Sequence, residues 1–154
     1  MNRREFLRTT GGAAASLGLA SLIVVEPARA TTPAMQEAIR KVVGGARVNA
    51  GKVKLELPPL SENGHAVPLA VRVESPMTAA DHVRAIHVFT ERNPQPDVAT
   101  FRLGPRAGHA RVATRIRLAD TQTVIAISEL SDGSFWSGSA EVVVTLAACL
   151  EGGP

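Results

Sequence analysis

Hydrophobic and polar residues alternate in short runs over most of the chain. Seven runs rich in β-branched side chains are separated by proline, glycine, asparagine and serine, a pattern that predicts short strands. The predicted strands cover residues 53–57, 67–73, 83–90, 98–103, 110–118, 121–130 and 141–146. Seven short strands with little helical pattern favour an all-β fold, an immunoglobulin-like β-sandwich.

The segments between these runs predict two turns and one pair of neighbouring strands. Asn63-Gly64 and Asp132-Gly133 predict turns, and Asn-Gly is a pair that readily supplies positive φ angles. Residues 98–103 and 110–118 flank a link from Gly104 to Gly108, so they are interpreted as a pair of strands. The run at 121–130 is mostly apolar and is therefore predicted to be more central.

One short helix is predicted ahead of the strands. Thr32 is suited to cap it, Pro33 fits its first turn, and Gly44-Gly45 ends it. Its apolar residues fall on one face, which we expect to pack across the domain: Met35, Ile39, Val42 and Val43.

The first 30 residues predict an export signal. Asn2 to Arg8 has the form of a twin-arginine motif, and Thr9 to Val25 is uncharged and apolar. Pro27 and an Ala28-Arg29-Ala30 cleavage site follow, so the mature chain is expected to start at Thr31. A membrane anchor is the alternative, but the apolar segment is barely long enough to span and contains three glycines. We expect periplasmic export with no membrane attachment after cleavage.

Charge and aromatic content argue against nucleic-acid binding. The full chain has a formal charge of +3, but residues 1–30 hold four arginines and two glutamates. The remainder carries 13 basic and 12 acidic residues, a net charge of +1. Its few aromatic residues provide no base-stacking surface: Phe89, Phe101, Phe135 and Trp136.

No motif in the chain predicts a metal, a cofactor or a catalytic group. The histidines lack zinc-ligand spacing and are interpreted as surface or structural residues: His65, His82, His87 and His109. Nucleophile, phosphate-loop and dinucleotide fingerprints are absent from the sequence. One strand face carries Arg111, Ala113, Arg115 and Arg117. This face is either solvated, paired with acidic neighbours, or able to bind an anion or a partner.

Cys149 is the one cysteine of the chain and the strongest candidate for chemistry. A free cysteine is often a small buried hydrophobe. Here it lies past the last predicted strand, close to Gly152-Gly153, where a chain frays unless it is tied down. No base lies nearby in sequence, and Glu151 opposes ionisation of the thiol. An odd cysteine in an exported protein suggests a reactive thiol, suited here to attachment rather than to catalysis.

Several short motifs, in order through nearly the whole mature chain, resemble the SoxY sulfur carriers of the periplasmic Sox thiosulfate-oxidation system. They accompany the twin-arginine leader and end ahead of Cys149: Glu62-Asn63-Gly64, Val67-Pro68, Ser75-Pro76-Met77, Asn93-Pro94 with Pro96, Thr114 to Ala119, Thr121-Gln122, Ser131 to Ser134 and Val144-Thr145-Leu146.

The resemblance implies a non-enzymatic carrier bound to SoxZ, a small leaderless β-sandwich subunit, as a heterodimer exported together. It further implies that SoxAX, a haem enzyme, joins thiosulfate to Cys149 and that SoxB removes sulfate, with a sulfane dehydrogenase as a later partner. The chain is then divided into a leader (1–30), a SoxY-like sandwich (31–146) and a carrier arm (147–154).

The arm differs from the Gly-Gly-Cys-Gly-Gly pattern of the family. Ala147 and Ala148 precede the cysteine and restrict the backbone. After the cysteine, Leu150 adds bulk and Glu151 adds charge, and the glycines Gly152 and Gly153 come only then. Two other hypotheses stay open from the residues alone. One is an immunoglobulin-like interaction module whose tail cysteine is structural or crosslinks subunits. The other, a thiol enzyme, lacks a base in the sequence.

Overall fold

A computed structural model describes residues 32–147 of the chain. The export signal predicted at residues 1–30 lies outside this range, as does the predicted mobile part of the arm from residue 148 onward. The described elements are α1 (Pro33–Val43), β1 (Val48–Ala50), β2 (Val53–Glu56), β3 (Leu60–Ser61), β4 (Val67–Val73), β5 (Val83–Thr90), β6 (Asp97–Arg102), a single 3₁₀ turn (Pro105–Ala107), β7 (Arg111–Ile116), β8 (Gln122–Leu130) and β9 (Phe135–Val144).

The strands form two sheets that pack face to face. The large sheet has the order β1-β9-β8-β5-β6, with β3 also paired to β9, and the small sheet has the order β2-β4-β7. Most neighbours are antiparallel, but β1 and β3 both run parallel to β9. The predicted all-β sandwich is confirmed.

Aliphatic side chains fill the space between the sheets. The alternation in β4 places every second residue in the core, with Val67, Val71 and Val73 buried and Arg72 exposed. The large sheet contributes Ile86 and Val88 from its inner face. Because few aromatic residues are available, this core depends on the dense packing of branched side chains.

Helix α1 covers part of the outer face of the large sheet. Thr32 Oγ1 accepts a hydrogen bond from the Met35 amide at 3.4 Å, and Gly44 ends the helix with a φ of 62°. Met35 is fully buried against Phe89 and Ile127. The predicted helix, its cap and its packing face are therefore confirmed.

The predicted pairing of the two strands around Gly104–Gly108 is wrong. Strand β6 pairs with β5 in the large sheet, whereas β7 pairs with β4 in the small sheet. The link between them contains the 3₁₀ turn, with Gly108 at a φ of 76°, and takes the chain from one sheet to the other. A connection longer than a tight hairpin leaves the partner strand undetermined by local sequence.

The last strand begins earlier in the chain than the predicted range of residues 141–146. It begins at Phe135 and ends at Val144, because pairing with β8 extends through Ser137-Gly138-Ser139, residues of low strand propensity. The short strands β1 and β3 had no sequence signal of their own. Both are defined by their pairing with β9.

The two predicted turns differ in mechanism. At Asp132-Gly133, glycine has a φ of 82°, and Asp132 Oδ1 accepts bonds from the amide and hydroxyl of Ser134, which lower the pKa of this exposed carboxyl. At Asn63-Gly64 neither residue has a positive φ. Instead, Asn63 Oδ1 accepts the His65 amide at 2.8 Å, so the side chain forms the turn.

A buried histidine lies on the outer face of the large sheet. His87 is 8% exposed and stacks near Phe89, with ring centroids 6.5 Å apart. Its Nδ1 is 3.0 Å from Thr100 Oγ1, while Nε2 is buried and has no hydrogen-bond partner. Burial is the largest effect on His87 and lowers its pKa. The negative charge of Glu129 raises this pKa, and the positive charge of Arg102 lowers it further. The imidazole is therefore neutral in the folded protein at neutral pH.

Replacing Gly138 by alanine is expected to destabilise the sandwich. A Cβ there would collide with the carbonyl oxygen of Val53 and lie 3.1 Å from Leu55 Cδ1, where the two sheets approach closely. We expect a loss of about 1–3 kcal/mol in the free energy of unfolding, measured by urea titration. The neighbouring exposed Ser139→Ala is the control. Equal stability of the two variants would contradict this close approach.

His87 is expected to make the fold sensitive to mild acid. An unfolded histidine binds a proton near pH 6.5, but the buried one does so only at lower pH. Between these values the unfolded chain holds more protons, so stability is full above about pH 6.5 and falls as the pH drops below it. Urea midpoints should decline from pH 7.5 to pH 5.5, and His87→Gln should reduce that decline. The exposed His65→Gln should leave it unchanged, and identical slopes in all three proteins would refute the assignment.

Candidate functional site

The described chain ends just beyond β9. Val144 is the last strand residue, and Thr145, Leu146 and Ala147 are exposed. The predicted attachment residue Cys149 lies two positions past Ala147, outside the described residues. The other predicted arm residues also lie outside: Ala148, Leu150, Glu151, Gly152 and Gly153. The structure therefore defines the base from which the arm starts, which we call the arm base (Val143–Ala147).

Backbone hydrogen bonds hold the arm base on one side. The amide of Gly64 donates to the Leu146 carbonyl at 2.9 Å, and the Thr145 amide donates to the Ser61 carbonyl at 3.1 Å. The Gly64 carbonyl in turn accepts from the Leu118 amide at 2.8 Å. Gly64 is buried and connects the segment after β7 to the residue where the arm starts. The chain is therefore fixed by hydrogen bonds as far as Leu146.

A threonine holds the same strand end from the other side. Thr121 Oγ1 accepts from the Val144 amide at 3.0 Å and lies 3.5 Å from the Val144 carbonyl, to which it donates. The side chain therefore continues the β8–β9 ladder, whose last backbone pair is Gln122 with Val142. Its hydroxyl takes the place of the next backbone partner.

Asn93 and Gln122 form a polar network beside this end of the sandwich. Asn93 Nδ2 donates to the Arg117 carbonyl at 2.8 Å, and its Oδ1 accepts from the Ala119 amide at 2.9 Å. The nearly buried Gln122 donates to the same Oδ1 at 2.9 Å, while its own Oε1 accepts from the Arg92 amide at 2.8 Å. Because each amide side chain uses both its donor and its acceptor, the network fixes the segment that contacts Gly64.

The structure thus gathers several dispersed motifs at one end of the molecule. Four separate parts of the sequence share one hydrogen-bond network there: Asn63-Gly64, Asn93, residues 117–122 and residues 144–146. Sequence reasoning identified the motifs without predicting that they meet. The available signal was a set of asparagine, glutamine and threonine residues at the ends of predicted strands.

Another motif, Ser131 to Ser134, lies at the opposite end of β8. Ser131 donates its amide to the His82 carbonyl at 2.8 Å and accepts the His82 amide on Oγ at 3.0 Å. The Val83 amide donates to Met77 Sδ at 3.5 Å. These contacts connect β5 to the turn after β8. Their role is structural, and they do not reach the arm base.

The arginine face predicted on β7 is present, except that Arg117 lies beyond the end of the strand at Ile116. Arg111, Ala113 and Arg115 are exposed, and Arg111 lies 3.6 Å from Glu56 in an ion pair. Lys54, Arg72 and Arg111 are in register across the three strands of the small sheet. This arrangement makes the outer face basic, and exposed charges of this kind contribute little to stability.

The histidines do not assemble into a site with other ligand residues. His82 Nδ1 is 3.1 Å from the Thr78 carbonyl, and His65 and His109 are exposed. Within residues 32–147, no three His, Cys, Asp or Glu side chains are placed to hold a metal ion. In the same range, no helix is long and apolar enough to cross a membrane.

Solved structures resemble this fold to different degrees. The sulfur carrier protein SoxY from Chlorobium limicola f thiosulfatophilum is 27% identical, with a TM-score of 0.62, covering 73% of this chain and 96% of that one. A superoxide reductase (neelaredoxin) from Ignicoccus hospitalis is 21% identical with a TM-score of 0.54, covering 61% and 80%. The superoxide reductase from Nanoarchaeum equitans is 13% identical with a TM-score of 0.52, covering 62% and 99%. At these identities, the two reductases share the fold alone.

Sequence comparison gives a more specific result. A comparison with curated proteins found no match. The family model described as sulfur oxidation protein SoxY matches residues 39–149, a range that contains the sandwich, the arm base and Cys149. The chain therefore belongs to the SoxY family of sulfur oxidation proteins.

Proposed function

We propose that this protein is a sulfur carrier that holds thiosulfate-derived sulfur covalently on Cys149 and presents it to the enzymes of the Sox system. The observation that carries the proposal is the family match, which extends past the sandwich to residue 149. The likeness to a solved sulfur carrier over 96% of that protein's length supports it.

The chemistry that the family implies is a cycle of attachment and hydrolysis. Oxidative joining of the Cys149 thiol to thiosulfate forms an S–S bond, releases one proton and delivers two electrons to the haem enzyme SoxAX. Hydrolysis by SoxB then breaks the bond between the sulfane sulfur and the sulfone group. This step uses water, releases sulfate and a proton, and leaves a persulfide on Cys149.

The chain's own contribution is a scaffold rather than a catalyst. The described groups that hold the arm base are amides, a hydroxyl and backbone groups that are already hydrogen-bonded. They position the start of the arm. A carrier needs one nucleophilic atom on an accessible peptide, while separate enzymes supply the activation.

The arm and its partners complete the proposal. A SoxZ-like subunit would form a heterodimer with this chain, and a sulfane dehydrogenase would act on the persulfide. The twin-arginine motif supports export to the periplasm. Ala147 and Ala148 restrict the arm more than glycines would, and Leu150 and Glu151 add bulk and charge beside the sulfur. The enzymes that serve this carrier therefore need a wider entrance than a glycine arm requires.

Intact mass spectrometry tests the assignment of Cys149. Protein isolated from cells grown on thiosulfate should carry an added mass that a thiol reductant removes. The Cys149→Ser protein should carry none, and thiosulfate oxidation by the cells should fall. If the wild-type protein carries no reducible adduct and the variant supports normal oxidation, the protein is an interaction module with a structural or crosslinking cysteine instead.

Thr121→Val is expected to loosen the start of the arm. The substitution keeps the side-chain shape but removes the two hydrogen bonds to Val144. Amide exchange at residues 143–146 should accelerate, and the unfolding free energy should fall by about 1–2 kcal/mol. Thr123→Val is the matched control, since Thr123 faces Glu141 in the β8–β9 ladder rather than the strand end. Unchanged exchange in Thr121→Val would show that backbone bonds alone hold the arm base.

A further inference from the structure

Positive charges form a row across the outer face of the small sheet. Lys54 pairs with Arg72 between β2 and β4, and Arg72 pairs with Arg111 between β4 and β7. All three side chains are exposed, because they alternate with buried or half-buried residues in their strands. We call these three residues the basic row.

The basic row carries an electrostatic cost. Side chains that are directly opposite on neighbouring strands lie about 5 Å apart at Cβ, and like charges in such positions are destabilising. Arg111 forms an ion pair with Glu56 at 3.6 Å. Within residues 32–147, Lys54 and Arg72 form no ion pair. In this part of the chain, two of the three positive charges therefore lack a contacting counter-charge.

Protection of the sheet edges explains only part of the row. Charged side chains on edge strands discourage pairing with other chains, and β2 and β7 are the two edges of the small sheet. Arg72 lies on the central strand β4, which has no free edge to protect. Its position between two other cations therefore needs another explanation, and a bound anion provides one.

A groove lies beside the row and brings two of its members together. The groove has a volume of about 500 Å³. Its polar lining residues are Arg72, Arg111, His109, Ser75 and Glu74. Ala113 lines the same groove, and its small side chain leaves space beside Arg111. One ligand in this groove can therefore contact both arginines.

The two arginines favour a doubly charged oxyanion over a carboxylate. A guanidinium group donates two parallel hydrogen bonds to the oxygens of an anion. A carboxylate has two oxygens and a single negative charge, which one guanidinium already satisfies. A tetrahedral oxyanion such as sulfate has four oxygens and two negative charges, so it can bind two guanidinium groups at once.

We propose that the basic row binds a divalent tetrahedral oxyanion of the sulfate class, held between Arg72 and Arg111, with Lys54 supplying further positive charge. The bound ion offsets the repulsion within the row. The site lies on the small sheet and uses no atom of Cys149, so this proposal goes beyond the proposed carrier function and does not depend on it.

A titration with sodium sulfate tests the site, with the backbone amide signals of the folded protein followed by nuclear magnetic resonance. The protein is the Cys149→Ser form of the full chain, so that thiol chemistry does not contribute. We expect saturable shifts at residues 72–75 and 109–113, and none from sodium acetate or sodium chloride at the same ionic strength. Equal shifts with all three salts would mean that the salts act by screening alone and would overturn the proposal.

Charge substitutions test the assignment in both directions. Arg72→Gln should raise the Kd for sulfate about tenfold, because it removes a pair of charge-assisted hydrogen bonds. Glu74→Gln should lower the Kd, because it removes a negative charge from the groove.

The matched control is Lys41→Gln, which removes an exposed positive charge from α1 on the opposite side of the sandwich and should leave the Kd unchanged. Because Glu74→Gln strengthens binding, a folding defect cannot imitate both results. Equal effects of Arg72→Gln and Lys41→Gln, or weaker binding by Glu74→Gln, would overturn the proposal.

Discussion

The hydrogen bond from the Gly64 amide to the Leu146 carbonyl fixes the end of the described chain to the sandwich. The proposed carrier function requires a fixed origin for the arm, since a frayed strand end would spread the thiol over a larger volume. Gly64 can provide this anchor because Leu118 binds its carbonyl in turn. The Asn93 and Gln122 network then fixes Arg117 to Ala119, so the anchor is supported by several strand ends.

Strand β9 connects this anchor to the rest of the sandwich. It pairs with β8 along its length and with two short parallel strands on its other edge. Its inward residues Val142 and Val144 belong to the core, and Gly138 allows the small sheet to approach. Because β9 is bound in this way, the residues of the arm base are held in place by the same packing that stabilises the core. Removal of an apolar core contact would therefore affect the hydrogen bonds of the arm base as well as the fold.

The superoxide reductases show how little the sandwich determines about activity. They share this fold at low identity, yet in this chain no group of ligand residues for a metal is formed within residues 32–147. Function in this architecture depends on what is attached to its edges and ends. In this chain the candidate feature is the hydrogen-bonded arm base, which precedes Cys149 in the sequence.

Local patterns in the sequence determined the helix, seven of the strands and the sandwich class, because periodicity and turn residues act over a few positions. The alternation of Val67 to Val73 predicted that strand to the residue. Tertiary structure decided which strands pair: β6 and β7 entered different sheets, and Ser137 to Ser139 became strand despite low propensity. It also brought Gly64, Asn93, Thr121 and Leu146 together. Such contacts depend on sheet packing over long sequence separations, which no local pattern encodes.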